Sequence, residues 1–479
     1  FLLTHTDKLA ENKFENHKMP LSAEVEVTLE MVKRYNRPGP RYTSYPTVPT
    51  WKEGEFSEDY ATCLHEEGQN DQPISLYVHI PFCRQLCTFC GCNKFITNKQ
   101  EIVERYLTSL DHEISGVAER LGSPKKLAEV HFGGGTPTFL NPHQIEMVVE
   151  MIVSRFDVQN DGEWAFEADP RVTTMKQLEV LFELGFRRVS LGVQDLDPAI
   201  QRAINRNQTV EQSWKTLETA RLLGYKSINL DLVYGLPLQT HHGFRKTLEE
   251  VNKMRPDRLA VYSFAYLPGM FKTHQRAIRE KDLPTPEEKI QIYLEAISFF
   301  AEVGYVMIGM DHYALPEDEL AIALKNRTLH RNFMGYTTLH NMVQIGAGVS
   351  AISDFGDSYW QNPKDLDLYM EETSDNKLIP RRKMCLDKED QLRRKVIETL
   401  MCHGEISIPD FESRYQIDFR NHFEQAWTKL EQFEEEGLVS LSSQKIDLTP
   451  VGMLFTRNIA MPFDRYLEEG GSLQFSKTI

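Results

Sequence analysis

Ser75-Leu-Tyr-Val-His-Ile-Pro-Phe-Cys83-Arg-Gln-Leu-Cys87-Thr-Phe-Cys90-Gly-Cys92 joins an apolar, strand-like run to a loop that holds four of the chain's seven cysteines. Thiols this crowded are ligands of a metal ion or cluster far more often than disulfide partners. Zinc knuckles usually bring two short Cys pairs from separate segments, and no second pair or His-rich segment lies near this loop. Iron-sulfur cubanes instead take several thiolates from one compact loop. The C-x3-C-x2-C spacing of Cys83, Cys87 and Cys90 offers one thiolate to each of three irons of a 4Fe-4S cluster and leaves the fourth iron open. Two alternatives remain on spacing alone: a closed cluster with Cys92 as fourth ligand, and a zinc knuckle.

Outward from the loop, short apolar strands alternate with amphipathic helices as far as about residue 312, the pattern of a parallel α/β sheet or barrel. Strands are predicted at 75–81, 130–133, 164–168, 188–193, 228–234, 258–264 and 305–310. Ile102, Tyr106, Leu110, Ile114, Val117 and Leu121 recur every three or four residues as one buried helical stripe. Asn141-Pro142 reads as an N-cap and first helical position, and Gly185 as the close of a helix beginning near Met175.

Chemistry-bearing residues collect where these strands end, the face on which parallel barrels assemble active sites. Gly133, Gly134 and Gly135 let backbone approach a ligand closely because no Cβ intervenes, and Thr136 adds a hydroxyl; a bare tight turn is the plain alternative. Glu167 is an acceptor-only carboxylate suited to a ligand's hydroxyls, or a cap for the next helix.

With 479 residues the chain has room for two or three domains. No apolar run approaches the roughly 20 residues of a membrane helix. The opening Phe1-Leu-Leu-Thr-His-Thr-Asp-Lys8 is charged too soon for a signal peptide. Clustered thiols then fit a reducing, cytoplasmic setting. A formal net charge of -16 counts against broad nucleic-acid or anionic-membrane binding. Helical patterns at 388–402 and 422–435, followed by a hairpin over 437–449, suggest a winged-helix-like module. The acidic run Glu434-Glu-Glu436 before its wing disfavours a phosphate-binding face, and covering the neighbouring α/β domain is the better use.

Seven motifs stand in order: Gly39-Pro-Arg-Tyr-Thr-Ser-Tyr-Pro46, the cysteine loop, Gly133-Gly-Gly-Thr-Pro-Thr138, Glu167-Ala-Asp-Pro-Arg171, Gly192-Val-Gln-Asp195, Asp231-Leu-Val-Tyr-Gly-Leu-Pro237 and Gly309-Met-Asp-His312. This ordered set resembles the oxygen-independent coproporphyrinogen III oxidases, a radical S-adenosylmethionine (radical SAM) family, from about Arg41 to the C-terminus. The resemblance implies an α/β fold built on a partial, three-quarter parallel β/α barrel over 73–355. An N-terminal extension and substrate-covering segment (1–72) is expected before it, and a mostly helical, winged-helix-like domain (356–479) after it. Residues 1–18, ahead of Met19-Pro-Leu-Ser where family members begin, are expected to be upstream sequence without a role.

By the same resemblance, Cys83, Cys87 and Cys90 hold a 4Fe-4S cluster. Gly134, Gly135, Thr136 and Glu167 face S-adenosylmethionine, and Tyr77, Phe89, Ala265 and Ile352 match cofactor-lining positions, chiefly by packing. Gln194, Arg206 and Asp231 match positions that contact a second S-adenosylmethionine, Arg206 offering a bidentate fork to its carboxylate. The implied activity is anaerobic oxidative decarboxylation of two propionates of coproporphyrinogen III to vinyl groups. A 5'-deoxyadenosyl radical drives it, and protoporphyrinogen IX for heme biosynthesis is the product. Cys92 is expected to be a free thiol active in turnover, or a small buried side chain. Arg41, with His330 and Arg331, is the candidate partner for the substrate's carboxylates. An electron donor such as flavodoxin or ferredoxin is implied, as is a monomer with no nucleic-acid or membrane partner.

One stretch departs from the family pattern. Asn332-Phe-Met334-Gly-Tyr-Thr-Thr-Leu339-His-Asn-Met-Val-Gln-Ile345 carries Met334 and Leu339 where relatives have amides. This places the second cofactor site, or substrate placement near it, in question. It also admits two other readings, another radical SAM reaction on a tetrapyrrole and a non-catalytic heme-binding or heme-delivery relative. The Gly91-Cys92 pair after Cys90, Gln194-Asp195 and the Arg41 motif favour the decarboxylase.

Overall fold

The structure is a computed structural model that describes residues 27, 29–271, 274–340, 342–374, 376–469 and 475–478. Residues 1–18, expected to be upstream sequence, lie outside the described residues. Six strands pair in parallel and in chain order: β1 (Ile74–Ile80), β2 (Lys126–Gly134), β3 (Asp157–Ala168), β4 (Arg188–Gln194), β5 (Ser227–Tyr234) and β6 (Arg258–Ser263). Parallel neighbours need a crossover. Helices supply it: α1 (Gln100–Leu121), α2 (Pro142–Val153), α3 (Met175–Glu183), α4 (Val210–Leu223) and α5 (His241–Met254), with α6 (Pro286–Glu302) after β6.

Alternation along the strands decides which side chains reach the site. In β1, Ile74, Leu76, Val78 and Ile80 are fully buried and share a core with Val103, Tyr106, Leu110 and Ile114 of α1. The intervening Ser75 and Tyr77 face the other way: Ser75 donates to Glu129 of β2 at 2.5 Å, and the Tyr77 ring stacks on His131 at 5.9 Å. The outer face of the sheet is therefore apolar and its inner face polar. Phe186, just before β4, meets Phe132, Trp164 and Phe166 edge-on at 5.0 to 5.6 Å. Full burial of each such ring contributes about 1.5 to 3 kcal/mol. Asn141 and Gln144 form the reciprocal cap that opens α2, and Gly185 adopts φ +105° just beyond α3, both as the sequence predicts.

At both edges the sheet differs from the simple alternation. β7 (Val306–Gly309), expected as the next parallel strand, does not touch β6. β8 (His312–Ala314) folds back through the Met310-Asp311 turn and lies antiparallel between them. On the other side of β1, β9 (Gln344–Ala347) adds in parallel. β10 (Ile352–Asp354), β11 (Ser358–Gln361), β12 (Arg382–Cys385) and Lys52–Glu53 then continue antiparallel. The sheet thus runs past residue 355, the expected domain boundary, and its edge draws a strand from the supposed N-terminal extension. Such short strands with partners far along the chain leave no period in the sequence. The two edge strands, Lys52–Glu53 and β7, are not paired with each other, so the barrel is open.

Beyond the sheet, α7 (Lys388–His403), α8 (Ile408–Tyr415) and α9 (Glu424–Glu435) accompany β13 (Glu405–Ser407), β14 (Val439–Leu441) and β15 (Lys445–Leu448). The three strands form a small sheet in the order β13-β15-β14, the expected winged-helix-like arrangement. Among the described residues no helix is long and apolar enough to cross a membrane.

Candidate active site

The cysteine loop leaves the C-terminal end of β1 and is held from several sides. Phe82 and Cys83 pair with Phe95 and Ile96, closing the loop on itself. Asn205 donates to the Leu86 carbonyl at 2.8 Å, and Lys94 and His274 contact the Cys90 carbonyl at 2.9 and 2.7 Å. Phe89 packs with Ile200, Ile204 and Phe264. Cys87 is buried, Cys83 and Cys90 are half-buried, Cys92 is exposed, and all four thiols are free.

Two guanidiniums flank this loop. Arg171 lies 3.6 Å and Arg206 3.8 Å from the Cys87 sulfur, and both pair with Asp169, at 2.6 and 3.3 Å. Burial alone would raise the Asp169 carboxyl, but Arg206 and Arg171 hold it below the usual range. The Cys90 thiol is held down by a hydrogen bond from Cys92, against its burial, and with help from the charges of Lys94 and Arg206. Cys92 is raised as the other half of that bond, whereas burial pushes Cys83 up to about 12. Arg171 and Asp169 were not singled out in the sequence, although both lie within the Glu167-Ala-Asp-Pro-Arg171 motif.

Beside the loop, the glycine-rich end of β2 closes against β1. A Cβ on Gly135 would stand 2.6 Å from the Pro81 carbonyl oxygen and 2.7 Å from that of Phe82, and one on Gly133 would stand 2.9 Å from Tyr77. These glycines therefore permit a close approach first to protein, which shapes the ledge beneath the cysteine loop. Gly135 and Thr136 donate to the carbonyls of Ile80 and Phe82, and Gly134 donates to Glu167 at 3.2 Å. Tyr77, His131, Glu167 and Cys92 thus share one corner of the barrel mouth, Tyr77 raised by burial and then by the charges of Glu167 and Cys92.

Gly192 organises the next strand end. A Cβ there would meet Gln194 Nε2 at 2.8 Å and Arg206 Nη2 at 3.0 Å, and Arg206 donates to its carbonyl at 2.6 Å. Gln194 adopts φ +71° to fold over it. Asp231, opposite Gly192 in β5, accepts from Ser190 and Asn229 at 2.9 and 2.8 Å, and burial with the nearby Glu167 charge raises it to about 6. Asp195 is structural: it accepts from Gln239, Thr247 and the Asp197 amide. Ala265 lies in the loop after β6, its carbonyl held by Gln275. Ile352, partly buried, packs against the cluster of Trp51, Tyr359 and Met384.

Arg41, His330 and Arg331 all have partners. Arg41 pairs with Asp311 and lies over Tyr262, while Arg331 donates to the Arg41 and Tyr42 carbonyls. His330 pairs with Glu398 at 2.7 Å and stacks on His340. The departing stretch forms a hairpin in which His330 and Arg331 pair with Thr337 and Tyr336, and the Asn332 side chain caps the amides of Met334 and Gly335.

Residues 77–251 match the Radical SAM superfamily, and residues 386–455 match the HemN C-terminal domain. The chain is 44% identical over 452 residues to the oxygen-independent coproporphyrinogen III oxidase of Pseudomonas aeruginosa, spanning 94% of this chain and 98% of that one. It belongs to the oxygen-independent coproporphyrinogen III oxidase family. The Escherichia coli oxidase is 41% identical over 460 residues. A solved structure of the E. coli coproporphyrinogen III oxidase (HemN), described as a radical SAM enzyme, superposes with a TM-score of 0.86 at 40% identity, covering 92% of this chain and 99% of that one. This likeness agrees with the partial barrel and its helical C-terminal domain.

Membership of the family brings a 4Fe-4S cluster and S-adenosylmethionine, and the residues present fit them. Three free thiols rise from one loop, with two cations beside Cys87 to offset thiolate charge and a Cβ-free ledge next to them. Among the described residues no three His, Cys, Asp or Glu side chains are grouped to hold a single metal ion. A cubane asks for no such convergence, because each thiolate binds its own iron.

Proposed function

We propose that this chain converts coproporphyrinogen III to protoporphyrinogen IX without oxygen, by oxidative decarboxylation of two propionates to vinyl groups. The observation that carries this reading is the 44% identity over nearly the full length of the P. aeruginosa oxidase, in a chain whose cysteine loop, glycine ledge and Glu167 meet at one barrel mouth. When bound, the cluster and S-adenosylmethionine supply a 5'-deoxyadenosyl radical, the hard chemistry that the protein itself cannot provide.

The chain's own residues position and shield. In this reading Cys83, Cys87 and Cys90 hold three irons, and Arg171 and Arg206 steady the charge near Cys87. Gly134, Gly135, Thr136 and Glu167 take the polar end and ribose of S-adenosylmethionine, with Tyr77 and Phe89 packing around it. Gln194, Arg206 and Asp231 present a fork, an amide and a carboxylate at the next strand ends, where a second cofactor molecule is seated. Cys92, exposed beside Cys90, is a thiol available during turnover. The Arg41 motif and the C-terminal domain close over the open barrel and keep water from the radical. We place the protein in the cytoplasm, as a monomer supplied with electrons by a flavodoxin or ferredoxin.

The test is anaerobic incubation of reconstituted protein with coproporphyrinogen III, reductant and S-adenosylmethionine, followed by oxidation and protoporphyrin fluorescence. Protoporphyrin formation is expected. Cofactor cleavage without that product would move the chain to another tetrapyrrole reaction, and tight heme binding without cleavage would make it a heme carrier.

A further inference from the structure

A cavity of about 30 Å³ lies between the ends of β5 and β6, the β7–β8 turn and the segment after the winged module. Its walls include Arg41, Tyr234, Ser263, Tyr293, Asp311 and Arg457. Space of this size admits small polar groups such as the carboxylate end of one arm of a ligand and is far too small for a macrocycle.

Buried cations are normally paired with carboxylates. Here one buried cation has no carboxylate of its own. Arg457 is buried, and its hydrogen-bond partners among the described residues are the backbone carbonyls of Gly39, Pro40, Lys477 and Thr478. Lys289 donates to the Phe264 carbonyl at 3.1 Å and sits 5.6 Å from the ring centre of Tyr234, a cavity wall. Arg41 and Arg457 thus line a cavity whose one carboxylate, Asp311, is already paired with Arg41, in a chain of net charge -16. Burial and the neighbouring cations lower both Arg457, to about 9, and Lys289, to about 8. Tyr262, beneath Arg41, also feels the charges of Asp231 and Glu167 at the barrel mouth.

We propose that the cavity seats the carboxylate of one non-reacting propionate of the substrate, bridged by Arg457 and Arg41, so that Arg457 is a specificity-determining residue. This rests on the coproporphyrinogen reading above and adds to it a residue of the C-terminal domain that reads the substrate's charge. Because Arg457 also ties down the Gly39-Pro40 carbonyls, binding loss alone would not separate the two roles.

The experiment measures binding of coproporphyrin III and of its tetramethyl ester to full-length, cluster-loaded protein by tryptophan fluorescence quenching. In Arg457→Met the preference for the acid over the ester is expected to fall about tenfold or more, with Arg457→Lys recovering part of it. A merely structural role would weaken both ligands alike, and an unchanged preference overturns the proposal. Should Arg457→Met fail to hold iron, Lys289→Met, which leaves the bonds to the motif intact, decides: about a threefold fall in preference supports the site, and no fall overturns it. Failure of the wild-type protein to convert coproporphyrinogen III would instead count against the parent reading.

Discussion

The Arg206 guanidinium stands 3.8 Å from the Cys87 sulfur while donating to the Gly192 carbonyl at 2.6 Å, so one side chain ties the cysteine loop to the end of β4. It also pairs with the buried Asp169 at 3.3 Å. Arg206→Met is expected to destabilise the protein by about 1 to 3 kcal/mol, less than a fully orphaned buried charge because Arg171 still holds Asp169. Thermal unfolding of the iron-free protein, read beside iron content after reconstitution, checks both consequences; an unchanged melting temperature would refute the coupling.

Gly135→Ala places a methyl group 2.6 Å from a backbone carbonyl oxygen, where no flexible side chain can yield. The cysteine loop must shift, and iron bound per chain is expected to fall at least severalfold. Gly122→Ala is the control: its φ of +88° costs about 1 to 3 kcal/mol of strain, but open space surrounds it and iron content should hold.

Burial, with Glu163 nearby, raises Glu129 to about 7. The native state thus keeps a proton that the unfolded chain loses near 4.3, so this residue lowers stability progressively between about pH 4 and 7 and fully above. Glu129→Gln keeps an acceptor for Ser75. It is expected to stabilise the protein by about 3 kcal/mol at pH 8 and by almost nothing at pH 4. Equal melting shifts at both pH values would contradict it.

Asp311 is held well below the carboxylate range by Arg41 and by His312, although burial pulls the other way. Arg41→Ala should raise the KM for coproporphyrinogen III while the cluster stays intact. An unchanged KM removes Arg41 from the substrate site.

Much of this was legible in the chain. Each predicted strand from 75–81 to 258–264 has its counterpart because a parallel strand covered by helices leaves a short, buried apolar signal. The buried stripe of α1 likewise follows from spacing, with Val103 and Leu107 completing it. What escaped was long-range pairing. Nothing local in His312-Tyr-Ala314 says that it inserts between β6 and β7, or in Gln344–Ala347 that it joins β1. At the site, the cysteine cluster stood out by its spacing, but the cations beside Cys87 come from the turn after β3 and from the segment beyond the short helix Pro198–Ala203, and only folding brings them there. The Arg41 motif was visible as a motif. Its anchor, Arg457, lies more than four hundred residues away and carries no signature of its own.

The central claim is an iron left free by Cys83, Cys87 and Cys90 for S-adenosylmethionine. Electron paramagnetic resonance of the anaerobically reduced protein, with and without S-adenosylmethionine, tests it most directly when wild type and Cys92→Ser are run together. Both are expected to carry about four irons per chain and to change spectrum when the cofactor is added. A spectrum indifferent to the cofactor, or a Cys92→Ser protein that loses its cluster, would contradict the account.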